Sequence, residues 1–229
     1  MISTHTLDEL MVQEEPLKIG IVEAETRISG SDQQRIFRLI REAYASKEYH
    51  VIISPEYSFM PRSRPLSEAE LAEYLEKLKH LSDRTLLIPG TFVWKKEDRI
   101  QNSCYVFYNG EIIHQQDKIE DGGEGRFAVR HSLKYQPGET LSPFQWKDLK
   151  IGIEICADAG SLAQRRVLDL DIVFLVASGN PDLPRSMKAV HQKGYGVVAD
   201  GLEQVYIAGN LAEVHKKFKN LFGGVYSQF

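Results

Sequence analysis

The feature that most constrains this chain is an alternation of short apolar runs with amphipathic stretches, twice in succession near its start. "LKIGIVEAE" (residues 17–25) is a β-branched run that reads as a buried strand. "SDQQRIFRLIREAYASKEY" follows, with Ile36, Leu39, Ile40 and Ala43 on one helical face and Ser31 with Gln34 as a capping box. "HVIISPE" is a second strand, ended by Pro55. Ser67 with Glu70 then opens a second helix, striped by Leu71, Leu75, Leu78 and Leu81. The middle of the chain changes character: "TLLIPGTFVW", "SCYVFYNGEIIHQ" and "FQWKDLKIGIEI" read as strands joined by tight turns, with Asn109-Gly110 marking a hairpin. Alternation then returns, with a helix from about Ser161, the strand "DIVFLVAS", a helix over residues 183–199 and the strand "QVYIAGN". Strand–helix units mixed with hairpins predict an α/β layered domain with helices on the sheet faces. With no internal repeat, low-complexity tract or linker, residues 17–229 read as one domain preceded by an extension over residues 1–16.

Composition removes several classes of function. A net charge of -4 with a pI near 6.0 offers no electrostatic case for nucleic acid or an anionic membrane. No apolar stretch approaches the ~20 residues that span a bilayer. The opening "MISTHTLDELMVQEEP" is polar and acidic, unlike a signal peptide. The 2 cysteines, Cys104 and Cys156, are too few for a disulfide framework or a cysteine-built zinc site. A cytoplasmic, reducing setting fits, and there a lone thiol is available for chemistry.

Loops just past strand ends are where α/β proteins carry their chemistry. Three such points here hold a suitable residue: Glu56 after "VIISP", Lys118 after "EIIHQQD", and Cys156 after "IGIEI". A carboxylate, an ammonium and a thiol form a coherent set for acyl transfer. The carboxylate takes the thiol proton and later activates water, and the thiolate attacks a carbonyl or nitrile carbon to form a thioester. The lysine stabilises the oxyanion and lowers the thiol pKa from ~8.5. Taken singly, each residue reads equally well as packing, turn or surface.

Their surroundings resemble a known family. "IISPEYSF", "GTFVWKKEDRIQNSCYVFYNGEIIHQQDK", "GRFAVRHSLKYQPGE" and "IGIEICAD" are similar to the successive blocks of the nitrilase superfamily of carbon–nitrogen hydrolases, in the family's order, from residue 17 to about 224. The resemblance implies a four-layer α-β-β-α sandwich, usually a homodimer or larger homo-oligomer, with no metal or organic cofactor. It implies Glu56 as general base, Lys118 as oxyanion and thiolate stabiliser, and Cys156 as nucleophile, with Tyr57 and Ala157 beside them as substrate-binding candidates.

Three places depart from the family pattern. Relatives carry a second glutamate between the lysine and the cysteine, and that place here falls on His131. Glu124, in the glycine-rich "EDGGEG", could substitute for it or could be a solvated loop charge. After "DIVFLVAS", Ser178 and Asn180 stand where relatives place a bulkier pocket residue, suggesting a more open entrance; His191 reads as packing or surface. The chain ends at "LFGGVYSQF", shorter at the C-terminus than relatives, which puts the usual dimer tail in doubt. The function implied is hydrolysis of a small non-peptide amide, with nitriles, carbamoyl compounds and glutamine as other substrates of the superfamily. A catalytically silent binding or regulatory protein on the same fold, and an amine acyltransferase using the same thioester, are the alternatives.

Overall fold

A computed structural model describes residues 1–12, 15–179, 181–202 and 206–209. The first half contains β1 (Ile2–Val12), β2 (Glu15–Val22), α1 (Gln33–Ser46), β3 (Val51–Ile53), α2 (Glu68–Lys79), β4 (Leu86–Ile88), β5 (Thr91–Lys96), β6 (Arg99–Tyr108) and β7 (Glu111–Asp117). The second contains α3 (Glu124–Arg130), β8 (Lys134–Tyr135), β9 (Phe144–Trp146), β10 (Leu149–Ile155), α4 (Ser161–Gln164), β11 (Leu170–Ala177), α5 (Leu183–Ser186), β12 (Val190–Asp200) and β13 (Tyr206–Gly209).

Two sheets result. One runs β1-β2-β3-β4-β6-β5, with β7 and β8 also on β6; the other runs β13-β12-β11-β10-β9. The strands β2, β3 and β4 are parallel, as are β10, β11 and β12, and all of these but β12 were read as strands from their apolar residues. Their side chains alternate between two environments. Ile19, Ile21, Val51, Ile53 and Cys104 meet Ile151, Ile153, Phe174 and Val197 in a core between the sheets. On the outer faces Ile52 and Leu87 pack under α1 and α2, while Val173 and Leu175 pack under α4 and α5. The layers are therefore α-β-β-α, each buried aliphatic side chain contributing ~1.5–3 kcal/mol.

The second helix starts as read from the sequence, with a reciprocal bond pair between Ser67 and Glu70. The first does not. Asp32 caps α1, its carboxylate accepting from Arg35 N at 3.0 Å, while Ser31 Oγ donates to Ser58 O instead. Residues 1–16, read as an extension, contribute an edge strand to the first sheet: β1 pairs antiparallel along β2, placing Leu7 and Val12 in the inter-sheet core.

The largest correction falls on residues 183–199, read as a helix. Only Leu183–Ala189 is helical, and Val190–Asp200 is a strand parallel to β11. Val190, Val197 and Val198 favour extended backbone, and Gly196 lets the helical turn settle on the strand. A Cβ at Gly196 would stand 2.5 Å from Met187 Sδ and 2.6 Å from Leu183 Cδ1. His191 accordingly lies on β12, its Nε2 2.9 Å from Asp171 Oδ1. The C-terminal block "LFGGVYSQF" lies outside the described residues.

Candidate active site

Each of the three strand-end residues is held from its backbone. Glu56 follows β3 through Pro55, and its N–H donates to Ala177 O at 3.2 Å, the last residue of β11 in the opposite sheet. Lys118 follows β7 and donates its N–H to Asn102 O of β6 at 2.8 Å. Cys156 follows β10 at the start of a single 3-10 turn, Cys156–Asp158, and takes a φ of 46°. A non-glycine residue in this left-handed region costs backbone energy and is found where the surroundings over-determine it.

The side chains converge. Lys118 Nζ lies 2.7 Å from Glu56 Oε1 and 2.8 Å from Glu124 Oε1, all three fully buried. Asn102 Nδ2 donates to the same two oxygens, at 3.0 Å and 2.8 Å. Tyr57 OH donates to Glu124 Oε1 at 2.7 Å, its ring centroid 5.6 Å from the ammonium. Gly122 N donates to Glu124 Oε2 at 2.8 Å. The Cys156 thiol lies near enough to the buried Glu56 carboxylate for the two to act on each other electrostatically, Glu56 Oε2 has no hydrogen-bond partner among the described residues, and Sγ stands 3.8 Å from Gly179 O.

Burial dominates the electrostatics of this cluster. It pushes the Glu56 carboxyl up, against the Lys118 charge, and Glu124 adds to the rise. Glu124 is also pressed upward by burial, but the Lys118 charge and hydrogen bonds from Lys118, Tyr57 and Asn102 outweigh it and hold the group below its usual range. For Lys118 the two carboxylates overcome burial and keep the amine charged. Burial and the Glu56 charge push the Cys156 thiol up to about 12, with Lys118 opposing. The lysine thus moderates the thiol without making it acidic, contrary to the expectation that it would lower the thiol below its reference.

Of the substrate-binding candidates, Tyr57 and Glu124 belong to this cluster. The carboxylate of Glu124 is no solvated loop charge: α3 starts on it, and it occupies the place beside Lys118 that sequence reasoning gave to His131. His131 ends α3, its ring 4.5 Å from that of Phe127. It lines a cavity of about 770 Å³ with Ile28, Ser63, Arg126 and Arg130. Among the described residues it has no hydrogen bond or ion pair with Glu56, Lys118 or Cys156. The helical segment turns its Glu124 end inward and its His131 end outward, which a count of sequence positions does not register. Ala157 is exposed next to the thiol, and Ser178 Oγ donates to Thr26 O at 2.6 Å. Asn180 lies outside the described residues.

Among the buried polar residues that escaped the sequence reading are Asn102, Glu154 and Asp158. The signal for Asn102 was its place on the row 102, 104, 106, whose other members, Cys104 and Val106, face the core between the sheets. Among the described residues no group of three or more His, Cys, Asp and Glu side chains could hold a metal ion, and no helix is long and apolar enough to cross a membrane.

The sequence pattern of the carbon–nitrogen hydrolase family matches residues 19–193, more than half of the chain, and the chain belongs to this family, within the nitrilase superfamily. Among solved structures it is similar to the amidase from Nesterenkonia sp. AN1, a mutant of which carries the acetamide moiety of fluoroacetamide on its active-site cysteine. The identity is 16%, over 89% of this chain and 86% of that one, with a TM-score of 0.67. Another mutant of the same amidase, in complex with butyramide, matches at 16% identity over 85% and 84% of the chains, with a TM-score of 0.65. The glutamine-dependent NAD+ synthetase from Acinetobacter baumannii matches at 18% identity and a TM-score of 0.64, over 86% of this chain but 42% of its own. No curated protein matches the sequence. The protein is thus a carbon–nitrogen hydrolase with the two-sheet nitrilase fold.

Proposed function

We propose that the chain cleaves the C–N bond of a small non-peptide amide through a thioester on Cys156. One observation carries the reading: the buried Glu56 carboxylate binds the Lys118 ammonium at 2.7 Å through Oε1 and keeps Oε2 without a hydrogen-bond partner among the described residues, in the electrostatic reach of the Cys156 thiol. With the thiol pushed up to about 12, a resident thiolate is scarce at neutral pH, so proton transfer accompanies attack. Burial raises Glu56 and makes it a better acceptor than an ordinary carboxylate.

In this mechanism Glu56 takes the thiol proton as Sγ attacks the carbonyl carbon, and Lys118 donates to the oxyanion. The C–N bond breaks as Glu56 returns that proton to the leaving nitrogen, and ammonia or an amine departs. Water then gives a proton to Glu56 and its oxygen attacks the thioester. The C–S bond breaks, the proton passes to sulfur, and the carboxylic acid leaves. Glu124 holds the ammonium throughout, while Asn102 and Tyr57 hold Glu124 by donating to its carboxylate.

Small aliphatic amides are the favoured substrates, since the amidase with the same fold is described with butyramide and with a two-carbon amide group on its cysteine. A homodimer is the expected assembly. Ammonia release from a panel of such amides, with intact mass after rapid quenching, tests the proposal. A mass increase equal to the acyl group, absent in Cys156→Ala and retained in Cys104→Ala, supports it. Glu56→Gln is expected to lower kcat about 10²–10⁴-fold. No ammonia and no acyl adduct from any amide would favour a silent scaffold, whereas product appearing only when an amine acceptor is supplied would favour acyl transfer.

A further inference from the structure

The turn that carries Cys156 is flanked by two buried acids, Glu154 two residues before it and Asp158 two residues after it. Their hydrogen bonds differ. Glu154 serves its own segment, accepting from Gly160 N at 2.9 Å and Leu162 N at 2.8 Å and so fixing the start of α4. Asp158 reaches across to the segment that carries the lysine. Its Oδ1 accepts from Glu120 N at 2.7 Å and Ile119 N at 3.1 Å, and its Oδ2 from Ile119 N at 3.1 Å.

On its other side, the lysine is already held by the sheet. Lys118 N donates to Asn102 O at 2.8 Å, and Lys118 O accepts from Gly138 N at 2.9 Å and Tyr135 OH at 2.9 Å. The two amides after Lys118 are the ones that Asp158 captures. Ile119 adds an apolar contact to the cluster containing Ala159 and Leu162, but side-chain packing alone does not fix the path of a backbone.

We propose, building on the functional reading above, that Asp158 is a positioning residue: its carboxylate ties the Cys156 turn to the Ile119–Glu120 backbone and so sets the separation of nucleophile and ammonium. A buried carboxylate without donors would be costly, and these backbone donors have no alternative acceptor supplied by a regular strand or helix at 119–120. The tie also explains how a cysteine with a φ of 46° is kept in place: the turn is clamped on both legs, by Glu154 within the segment and by Asp158 across it.

Burial pushes the Asp158 carboxyl up to about 7, against the N–H bonds from Glu120 and Ile119 and the Lys118 charge, with Glu154 raising it further. The charged and titratable groups acting on it are Lys118, Glu154 and, from β8, Tyr135. Protonation near neutrality would weaken the tie and give wild-type kcat an acid limb.

The test compares Asp158→Asn with wild type on an amide that wild type hydrolyses, with thermal melting as the fold control. Asn has the same shape but brings an NH2 group to a site that needs acceptors. The expected result is a kcat lowered at least 10-fold, KM changed less than threefold, and loss of the acid limb near pH 7. A folded Asp158→Asn with kcat within threefold of wild type would overturn the proposal, as would a loss confined to KM. Hydrogen exchange at Ile119 and Glu120 reads the same tie without any turnover. Protection should fall at least 10-fold in Asp158→Asn. If that variant does not fold, wild type decides: after correction for intrinsic exchange, a 10-fold lower protection at pH 5.5 than at pH 8 upholds the tie, and equal protection refutes it. Should no amide be turned over, the functional reading fails, and the exchange measurement still decides the role of Asp158.

Discussion

Glu56 and Glu124 present their Oε1 atoms to the same two donors, Lys118 Nζ and Asn102 Nδ2. Two buried carboxylates therefore share one full positive charge, and the neutral amide donates a further hydrogen bond to each. Removing that amide leaves both oxygens short of a donor. Asn102→Leu, nearly the same size, should cost about 3 kcal/mol, read as a Tm lower by about 6–12 °C. It should also raise Glu56 further and move the acid limb of kcat to higher pH. A melting point within 2 °C of wild type, by calorimetry, would contradict this account (about 0.5–1 kcal/mol).

Gly122 matters for a different reason. A Cβ there would stand 2.5 Å from Lys118 Nζ. The ammonium sits at the end of a flexible chain, yet it is pinned between two carboxylates and cannot retreat without leaving one of them. Gly122→Ala should lower kcat about 10²-fold with little change in melting temperature, since small misplacements of reacting groups are costly. Steady-state kinetics alongside calorimetry would separate the two effects.

His131 stands outside the cluster, packed on Phe127. His131→Ala should therefore leave kcat, KM and their pH dependence as in wild type while costing about 0.5–1.5 kcal/mol of ring contact. His131→Glu should not raise activity, because the glutamate beside Lys118 is already there as Glu124. A pH–rate profile of both variants checks this. A tenfold change in kcat for either would return His131 to the site.

Stability should respond to pH through two carboxyls of opposite sign. Arg64 and the Ser67 N–H hold Glu70 down to about 2, below the unfolded value of ~4.3. Its contribution is present above about pH 4.3 and is lost as pH falls toward 2. The pair is half-exposed, so screening keeps the effect to a fraction of a kcal/mol. Asp158 goes the other way: raised to about 7 from an unfolded ~3.9, the folded protein holds its proton longer, and that contribution is lost as pH rises from about 4 to 7. Urea unfolding at pH 2.5, 4.5 and 7.5 should show Arg64→Ala losing its deficit only at the lowest pH and Asp158→Asn losing its pH slope between the upper two.

Much of this was legible in the sequence because it depends on local patterns. Alternating apolar runs located the parallel strands other than β12, and Glu56, Lys118 and Cys156 were visible as polar residues at strand ends. The failures share one cause. Whether Glu124 or His131 meets the lysine depends on which end of a seven-residue helix turns inward, and Asn102 becomes legible only when β6 is known to face the other sheet. The strand β12 was misread because its apolar residues also fit a helical period, and only Gly194 and Gly196 spoke against it. The edge strand β1 was discounted for its polar residues, although an edge needs only one apolar row.

The backbone bond from Glu56 N to Ala177 O joins the end of one sheet to the end of the other. In the proposed mechanism, proton acceptor and nucleophile therefore ride on separate plates, fastened together at the rim. Any sliding of one plate over the other would be felt at once as a lengthened path for the proton. Inter-sheet residues remote from the chemistry, such as Phe174 and Ile21, then act as spacers that gauge the distance between the two. Substitutions that thicken or thin that middle layer should register in turnover before they register in melting.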